Sequence, residues 1–481
     1  MNWRNFFRGK KVTLMGLGLL GRGVGDAEFL ARMGAEVLVT DLKTERELAL
    51  SVARLKKFKN IKFHLGGHRL EYFSGKGGRA RPDFVLKAAG VPLDSPYIKE
   101  ARENGIPIEM DASLFAKLAP KGTKLVGITG TRGKSTTAEC IYAILKTAKK
   151  RAFLGGVVHT ATLPFLERVR AGDIVVLELD SWQLQGFHEA KISPHVAVFT
   201  TFLDDHLVYY QGNRKRYFED KAAIFRYQKS DTVLIVGEQA MEAARHLGVR
   251  LPSGARIVGA KDLLTEWKLK ILGEHNRYNA ACALAVARAL EIPDEISRKA
   301  IENFKGVSGR LEYLRTIQGV KIYNDNNATT PDATIAALRA LNPKSQTPCL
   351  PIGGQANHKQ IQNHKALNAR RFALNAGTKR IILIMGGTDK GLDMSKLVEE
   401  IPKHCKAVIL LRETGTEKLI FNFQFSIFKK ETLKECVEEA MKIAKKGDIV
   451  LFSPAFASFG KWFKNEYDRG EQFVKIIDKI S

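Results

Sequence analysis

The chain has 481 residues, a formal net charge of +26, and hydrophobic and charged contents of 44% and 27%. A chain of this length exceeds a single hydrophobic core and predicts about three globular domains. The sequence contains no apolar run of about 18 residues, which argues against a membrane-spanning helix, and its five cysteines are too widely spaced to suggest a zinc site or a disulfide framework.

The positive charge fits either a nucleic-acid-binding protein or an enzyme that acts on anionic substrates. Lysine and arginine are spread along the whole chain, without a dominant basic tail. We therefore expect no nucleic-acid partner. The start of the chain has a basic cluster but lacks the apolar core of a signal peptide, which predicts a cytoplasmic protein.

Three α/β units follow one another along the chain. Residues 1–112 alternate short apolar strands such as KVTLMG and AEVLVTD with helices, as in a parallel doubly wound sheet. A second unit, 113–306, begins at KLVGITG, and a third, 307–481, contains KRIILIMGG and GDIVLFSP. We predict an α/β protein of three domains, each a mainly parallel sheet flanked by helices, Rossmann-like at both ends and with a phosphate-loop ATPase fold in the centre. A basic segment around 344–378 without acidic residues predicts an inserted surface excursion in the third domain.

The first predicted strand is followed by a G-x-G-x-x-G loop at Gly16, Gly18 and Gly21, and Asp41 ends the next strand. Such glycines allow a pyrophosphate to approach a helix N-terminus, while an aspartate at this spacing can bind ribose hydroxyls. The alternative interpretation is a tight strand–helix turn that binds no ligand.

A second glycine loop lies in LVGITGTRGKSTT, again between a buried strand and a helix. It departs from a strict Walker loop, because Ile128 stands where that motif has its first glycine. The altered loop keeps the features that bind phosphates: its glycines and amides wrap the phosphates, Lys134 reaches the terminal phosphates, and Ser135 can ligate magnesium. This loop predicts a nucleotide that is consumed.

Candidate partners of this loop follow along the second unit. VVLELDSWQL supplies Glu178 and Asp180, and Glu178 is the better metal candidate because apolar residues flank it. His206 follows another strand in FLDDHL, although a lone histidine is more often a packed or solvated residue. Lys221 shares one helix face with Tyr217 and apolar residues. Such a lysine either extends its charge to solvent or is held neutral for chemistry.

The motifs TGTRGKST, ELDSWQL, DDHL, YFEDKAAIF and LGEHNRYN follow one another in the order and spacing of the Mur ligases, and the chain resembles that family. GLGLLGRG and SPAFASFGKWFKNEYDRGEQF are most similar to its glutamate-adding members. The resemblance implies a monomeric ligase of peptidoglycan precursor synthesis that uses ATP and two Mg²⁺ ions. It would join D-glutamate to UDP-N-acetylmuramoyl-L-alanine through an acyl phosphate, without membrane insertion. Two alternatives stay open: a related ligase for another amino acid such as L-glutamate, and a catalytically weak nucleotide-binding homologue.

The resemblance also implies residue roles. ATP would be bound by Gly127, Thr129, Gly130, Thr131, Arg132, Gly133, Lys134, Ser135, Thr136, Asn276, Asn279, Arg310 and Asp325, with His275 on the adenine side. The metal ligands would be Ser135, Glu178, His206 and Lys221 as a carbamate. The UDP part of the substrate would contact Gly16, Gly18, Leu19, Gly21 and Asp41. Glutamate would be held by Thr329, Lys390, Ser458 and Tyr467, and the catalytic residues would be Lys134, Lys221, His206 and Lys390.

The chain departs from the family pattern at three residues. Val157 replaces an asparagine, Gly309 replaces the histidine before Arg310, and Asn327 replaces a lysine. The basic insertion, in addition, precedes the strand that leads to Lys390. These departures leave open the rate of the reaction and the choice of amino acid.

Overall fold

A computed structural model describes residues 3–19, 21–77, 80–156, 160–205, 209–342, 379–419, 426–458 and 460–480. Two compact units divide the chain: Met1–Lys268 with Arg277–Phe304, and Leu269–Asn276 with Lys305–Ser481. The expected insertion around 344–378, as well as His206 and Val157, lies outside the described residues.

The first sheet of the first unit has five parallel strands in the order β3-β2-β1-β4-β5. Its strands are β1 Lys11–Met15, β2 Glu36–Asp41, β3 Ile61–Leu65, β4 Phe84–Lys87 and β5 Ile108–Glu109, and its helices are α1 Trp3–Phe7, α2 Arg22–Arg32, α3 Ala49–Leu55, α4 Pro96–Glu103 and α5 Asp111–Leu118. The order reverses between β1 and β4, so the crevice at the carboxyl end of β1 is the expected ligand position.

The second sheet of this unit has six parallel strands in the order β11-β10-β9-β6-β8-β7. Its strands are β6 Lys124–Thr129, β7 Ala152–Gly155, β8 Ile174–Glu178, β9 Val196–Phe199, β10 Val233–Gly237 and β11 Arg256–Val258, and the helices of this part of the chain are α6 Lys134–Thr147, α7 Ser181–Ala190, α8 Arg214–Arg226, α9 Glu238–His246, α10 Glu274–Ala289 and α11 Asp294–Asn303. Strands β6, β8 and β9 are apolar on both faces, as a sheet covered by helices on both sides requires.

The two sheets of the first unit are joined by packed helices and a few polar contacts. Helix α5 packs against α7, where a Cβ atom at Gly186 would lie only 2.6 Å from Ser113 Oγ. Arg22 Nη2 donates to the carbonyl of Gly156 at 2.9 Å. Glycine at position 186 therefore permits the close approach of the two helices.

The second unit contains a six-stranded sheet in the order β12-β13-β17-β14-β15-β16, parallel except for the β12–β13 hairpin. Its strands are β12 Glu312–Ile317, β13 Val320–Asn324, β14 Ile381–Met385, β15 Cys405–Leu411, β16 Ile427–Lys430 and β17 Ile449–Phe452, and its helices are α12 Pro331–Leu341, α13 Ser395–His404, α14 Thr414–Glu417, α15 Leu433–Ile443 and α16 Glu466–Asp478. Because β13, β17 and β14 are adjacent and parallel, the loops that follow their carboxyl ends lie side by side.

The predicted fold class, three mainly parallel sheets flanked by helices, is confirmed. The domain boundaries at 112 and 306 stay predictions. None of the described helices is long and apolar enough to cross a membrane. The four cysteines in the described part of the chain are buried thiols.

Candidate active site

The phosphate loop connects β6 to α6 at the carboxyl end of a central strand. Strand β8 lies on one side of β6 and β9 on the other, with Ile128 opposite Glu178 and Thr129 opposite Phe199. Strands β7 and β8 lie on one side of β6, whereas β9, β10 and β11 lie on the other side, so the strand order changes direction at β6. This is the position at which parallel α/β sheets bind ligands.

Two glycines of this loop have steric reasons to be glycine. A Cβ atom at Gly130 would overlap Thr200 Oγ1 and lie 2.9 Å from the backbone nitrogen of Thr201. Gly133, with φ of 88°, is the N-cap of α6, and a Cβ atom there would overlap Asn279 Oδ1. The loop thus lies directly on the segment that follows β9, and its left-handed turn aims the α6 N-terminus at the loop's concave side.

The loop is held by hydrogen bonds to the segment after β9. The backbone N–H of Thr131 donates to Thr201 O at 2.7 Å, and the N–H of Arg132 donates to Thr201 Oγ1 at 2.9 Å. Arg132 also forms an ion pair of 3.0 Å with Asp205. The loop conformation is therefore fixed by partners some 70 residues further along the chain.

Lys134 and Lys221 meet at the same loop carbonyl. Each ammonium group donates to Gly130 O at 3.0 Å, although the two residues lie on different helices, α6 and α8. Lys221 is buried, and its ammonium lies 4.9 Å from the centroid of the Tyr217 ring. Burial, followed by the positive charge of Lys134, lowers the pKa of Lys221 well below its ordinary value. This environment favours the neutral form of the Lys221 amine.

Glu178 ends β8 beside the phosphate loop, as predicted from the sequence. Asp180 has a different role: its carboxylate accepts the N–H of Gln183 at 2.7 Å, while Gln183 Oε1 accepts the N–H of Asp180, a capping box that starts α7. Among the described residues, no three His, Cys, Asp or Glu side chains are grouped to hold a metal ion. With His206 outside the described residues, the metal ligands stay predictions.

Sequence reasoning missed Glu139, which lies on α6 and feels the charge of Glu178. Burial, followed by that charge, raises the pKa of Glu139. Its position four residues after Ser135 is the signal that could have identified it, because residues four apart lie on the same face of a helix.

The asparagines expected on the adenine side begin helix α10. Asn279 lies against Gly133 of the phosphate loop. Asn276 donates through Nδ2 to the carbonyl of Leu272 at 2.8 Å and so closes the first turn. Burial lowers the pKa of the neighbouring His275 to about 4, so this imidazole is neutral at physiological pH.

In the second unit, Asp325 stands just beyond β13 and is hydrogen-bonded through both oxygens. Its Oδ1 accepts the N–H of Leu311 at 2.9 Å, and its Oδ2 accepts the hydroxyl of Ser453 at 2.8 Å. Burial raises the pKa of Asp325 to about 7 although these hydrogen bonds and the charge of Arg310 oppose the increase. The structure thus links Asp325 to the chain next to Arg310.

Two of the departures from the family pattern contact each other. Asn327 donates its N–H to the carbonyl of Gly309 at 2.9 Å, and a Cβ atom at Gly309 would lie 3.0 Å from Asn327 Nδ2. Gly309 also has φ of 71°, a conformation that disfavours a side chain. The two replacements therefore form one local unit.

The residues expected to hold glutamate lie in neighbouring loops of the second unit. Lys390 Nζ donates to Thr329 Oγ1 at 3.3 Å, so these two are brought together. Ser458 is buried and donates to Glu466 Oε2 at 3.4 Å. Tyr467 lies in the first turn of α16, where its N–H is capped by Asn465. Their role in binding stays a prediction.

In the first unit, Asp41 orders the N-terminal glycine loop. Its two oxygens accept the backbone N–H groups of Gly18 at 3.0 Å and Lys43 at 2.8 Å. Gly21 caps α2 with φ of 82°, and the side chain of Leu19 is half exposed. The N-terminal glycine loop therefore has the geometry expected of a dinucleotide-binding loop, and Asp41 stabilises this loop by accepting its backbone hydrogen bonds.

This arrangement defines a class of protein: an ATP-binding α/β enzyme with a phosphate loop at the switch point of its central sheet. The model of the Mur ligase middle domain matches residues 128–250, and that of the Mur ligase, glutamate ligase domain, matches residues 356–456. The chain belongs to the Mur ligase family.

Relatives cover the whole chain. It is 32% identical to the UDP-N-acetylmuramoylalanine–D-glutamate ligase of Roseiflexus sp. (strain RS-1) over 98% of this chain and 99% of the relative. It is also 32% identical to the ligase of the same name from Borreliella burgdorferi (strain ZS7), over 97% of each chain. The fold is similar to the crystal structure of UDP-N-acetylmuramate-alanine ligase from Thermotoga maritima, with a TM-score of 0.59 and 19% identity over 98% of this chain and 100% of that one. The fold is also similar to the crystal structure of MurF from Acinetobacter baumannii, with a TM-score of 0.56 and 17% identity over 97% of this chain and 93% of that one.

Proposed function

We propose that this protein is an ATP-dependent ligase that adds D-glutamate to UDP-N-acetylmuramoyl-L-alanine in peptidoglycan precursor synthesis. The observation that carries the proposal is the meeting of Lys134 and Lys221 at the Gly130 carbonyl, in a chain whose full length matches D-glutamate ligases. ATP and the UDP substrate are both nucleotides, which supports a cytoplasmic location. A monomer without a nucleic-acid partner stays an expectation.

A carboxylate does not condense with an amine directly, because its oxygen is a poor leaving group. Transfer of the γ-phosphoryl group to the alanine carboxylate forms a carbon–oxygen–phosphorus link and releases ADP. The glutamate amine then forms the C–N bond, loses a proton, and expels phosphate. Lys134, with the loop amides at the N-terminus of α6, neutralises charge on the phosphates throughout.

The residues around the phosphate loop fit Mg²⁺, which would supply further neutralisation of phosphate charge. The fit rests on the hydroxyl of Ser135 at the start of α6, the carboxylate of Glu178 at the end of the adjacent strand, and the buried amine of Lys221. A lysine with a depressed pKa supports carbamate formation, since only a neutral amine attacks CO₂. The product is an anion, and the released proton goes to water.

The alternative of a different amino acid is favoured by one observation, the contact of Gly309 with Asn327, two residues before Thr329. In the first experiment, phosphate release from ATP is measured with UDP-N-acetylmuramoyl-L-alanine and either D- or L-glutamate. Release with D-glutamate alone supports the proposal, and release with L-glutamate alone supports the alternative. No release with either enantiomer would refute a glutamate ligase and leave a ligase for another amino acid or a nucleotide-binding homologue.

A further inference from the structure

One arginine of the second unit is completely enclosed. Arg469 on α16 has no solvent exposure, and its guanidinium makes four hydrogen bonds. Nε donates to Asn326 Oδ1 at 2.8 Å and Nη2 to Asn326 O at 2.9 Å, while Nη1 donates to Phe456 O at 3.2 Å and Ala457 O at 3.3 Å. Burying a guanidinium is costly unless its donors are satisfied, and here backbone and amide oxygens accept from four of its five N–H groups.

These partners belong to loops that follow neighbouring strands. Asn326 lies in the β13 loop, residues 325–330, and Phe456 and Ala457 lie in the β17 loop, residues 453–458. The same guanidinium also faces the β14 loop, residues 386–390: a Cβ atom at Gly387 would lie 3.1 Å from Arg469 Nη1.

The three loops are further linked to one another near this guanidinium. The N–H of Ala455 donates to Ala328 O at 2.8 Å, and Thr388 and Ala457 exchange two backbone hydrogen bonds of 2.9 and 3.1 Å. Each loop carries one residue of the candidate amino-acid site: Thr329, Ser458 and Lys390. Lys390 Nζ donates to Thr329 Oγ1 at 3.3 Å, and the spacing of the three residues follows the backbones of the loops that carry them.

We propose that Arg469 is a positioning residue of the amino-acid site that fixes the spacing of Thr329, Ser458 and Lys390. Its guanidinium holds the β13 and β17 loops directly, and the β14 loop is attached to the β17 loop by the paired backbone hydrogen bonds of Thr388 and Ala457. The inference rests on the proposed function, because it assumes that these loops receive the amino acid. Arg469 itself lies behind the loops, enclosed by their carbonyls. It acts through them and does not touch the substrate.

The test compares Arg469→Met with Arg315→Met. Arg315 is a matched control in the same unit, since it donates to the carbonyls of Ile477 and Ile480 at the end of the same helix. Among the described residues, it makes no hydrogen bond to the three loops. A loop displacement of about 1 Å costs up to about a hundredfold in efficiency. We expect Arg469→Met to raise the KM for the amino acid about tenfold or more, while the KM values for ATP and the UDP substrate stay unchanged. Arg315→Met should lower the melting temperature without altering any KM.

A second variant keeps the guanidinium and is useful if Arg469→Met does not fold. It removes the Asn326 side chain, which accepts from Arg469 Nε and also donates through Nδ2 to Glu466 O and Asn327 Oδ1. Asn326→Ala eliminates the side-chain acceptor of Nε and should raise the same KM by about threefold. An unchanged amino-acid KM in Asn326→Ala and Arg469→Met, or an equal loss for all three substrates, would overturn the positioning role. If wild type shows no turnover, the proposed function fails, and thermal stabilisation by a panel of amino acids then tests Arg469. Stabilisation lost in Arg469→Met but kept in Arg315→Met supports the role; no stabilisation of wild type, or equal stabilisation of both variants, overturns it.

Discussion

The buried carboxyl of Asp325 makes the stability of the protein depend on pH in a defined direction. Its pKa in the native state is about 7, against 3.8 for an exposed aspartate. At about 1.4 kcal/mol for each pH unit, ionising it in place destabilises the native state by at most about 4 kcal/mol. Between pH 4 and 7 the native state binds more protons at this site than the unfolded state, so its contribution to stability falls as the pH rises and is lowest above pH 7.

Asp325→Asn removes this penalty and keeps the hydrogen-bond pattern. The amide oxygen can still accept from Leu311, and the new NH₂ group can donate to Ser453, whose hydroxyl has a second acceptor in Thr334 at 2.9 Å. Urea unfolding of both proteins at pH 5 and pH 8 measures the effect. We expect the variant to gain stability relative to wild type by about 1–4 kcal/mol on going from pH 5 to pH 8. A difference that does not change with pH would refute the assignment of a buried, protonated carboxyl.

Three further predictions concern the phosphate loop and the N-terminal loop. Lys221→Ala should lower turnover by at least about a hundredfold, with partial recovery in acetate or formate, as measured by phosphate release; recovery by chloride alone would contradict a carbamate. Gly133→Ala should weaken ATP binding at least about tenfold because of its left-handed backbone and the overlap with Asn279, as titration calorimetry would show, whereas Gly212→Ala, also left-handed but with open space around it, should bind normally. Asp41→Ala should raise the KM for the UDP substrate about tenfold and leave that for ATP unchanged; equal changes in both would contradict its assignment to the first glycine loop.

Local patterns were sufficient to predict the phosphate loop. A buried strand, a run of glycines and a helix start determine backbone direction and φ over a few residues, and the structure places Gly130, Gly133 and Lys134 accordingly. The same holds for the fold class, because strand and helix periodicity alternate clearly in all three units. Asp180 illustrates the limit of such patterns, since a helix-capping carboxylate and a metal ligand look alike in sequence.

Contacts between distant segments could not be predicted from the residues alone. Lys134 and Lys221 share the Gly130 carbonyl only because α6 and α8 both pack on the sheet beside β6. Arg469 sits in a helix whose sequence, EYDRGEQF, looks like a solvated surface, yet it is wholly buried. Burial of that kind depends on which loops the sheet order brings together, and sequence spacing does not contain that information.

The central claim is that the alanine carboxylate of the UDP substrate is activated by ATP and then captured by D-glutamate. The most direct test uses UDP-N-acetylmuramoyl-L-alanine labelled with ¹⁸O in that carboxylate, incubated with ATP and D-glutamate. We predict that each phosphate released carries one ¹⁸O atom from the carboxylate and that the product contains D-glutamate in amide linkage. Unlabelled phosphate, or labelled phosphate without an amide product, would contradict the account.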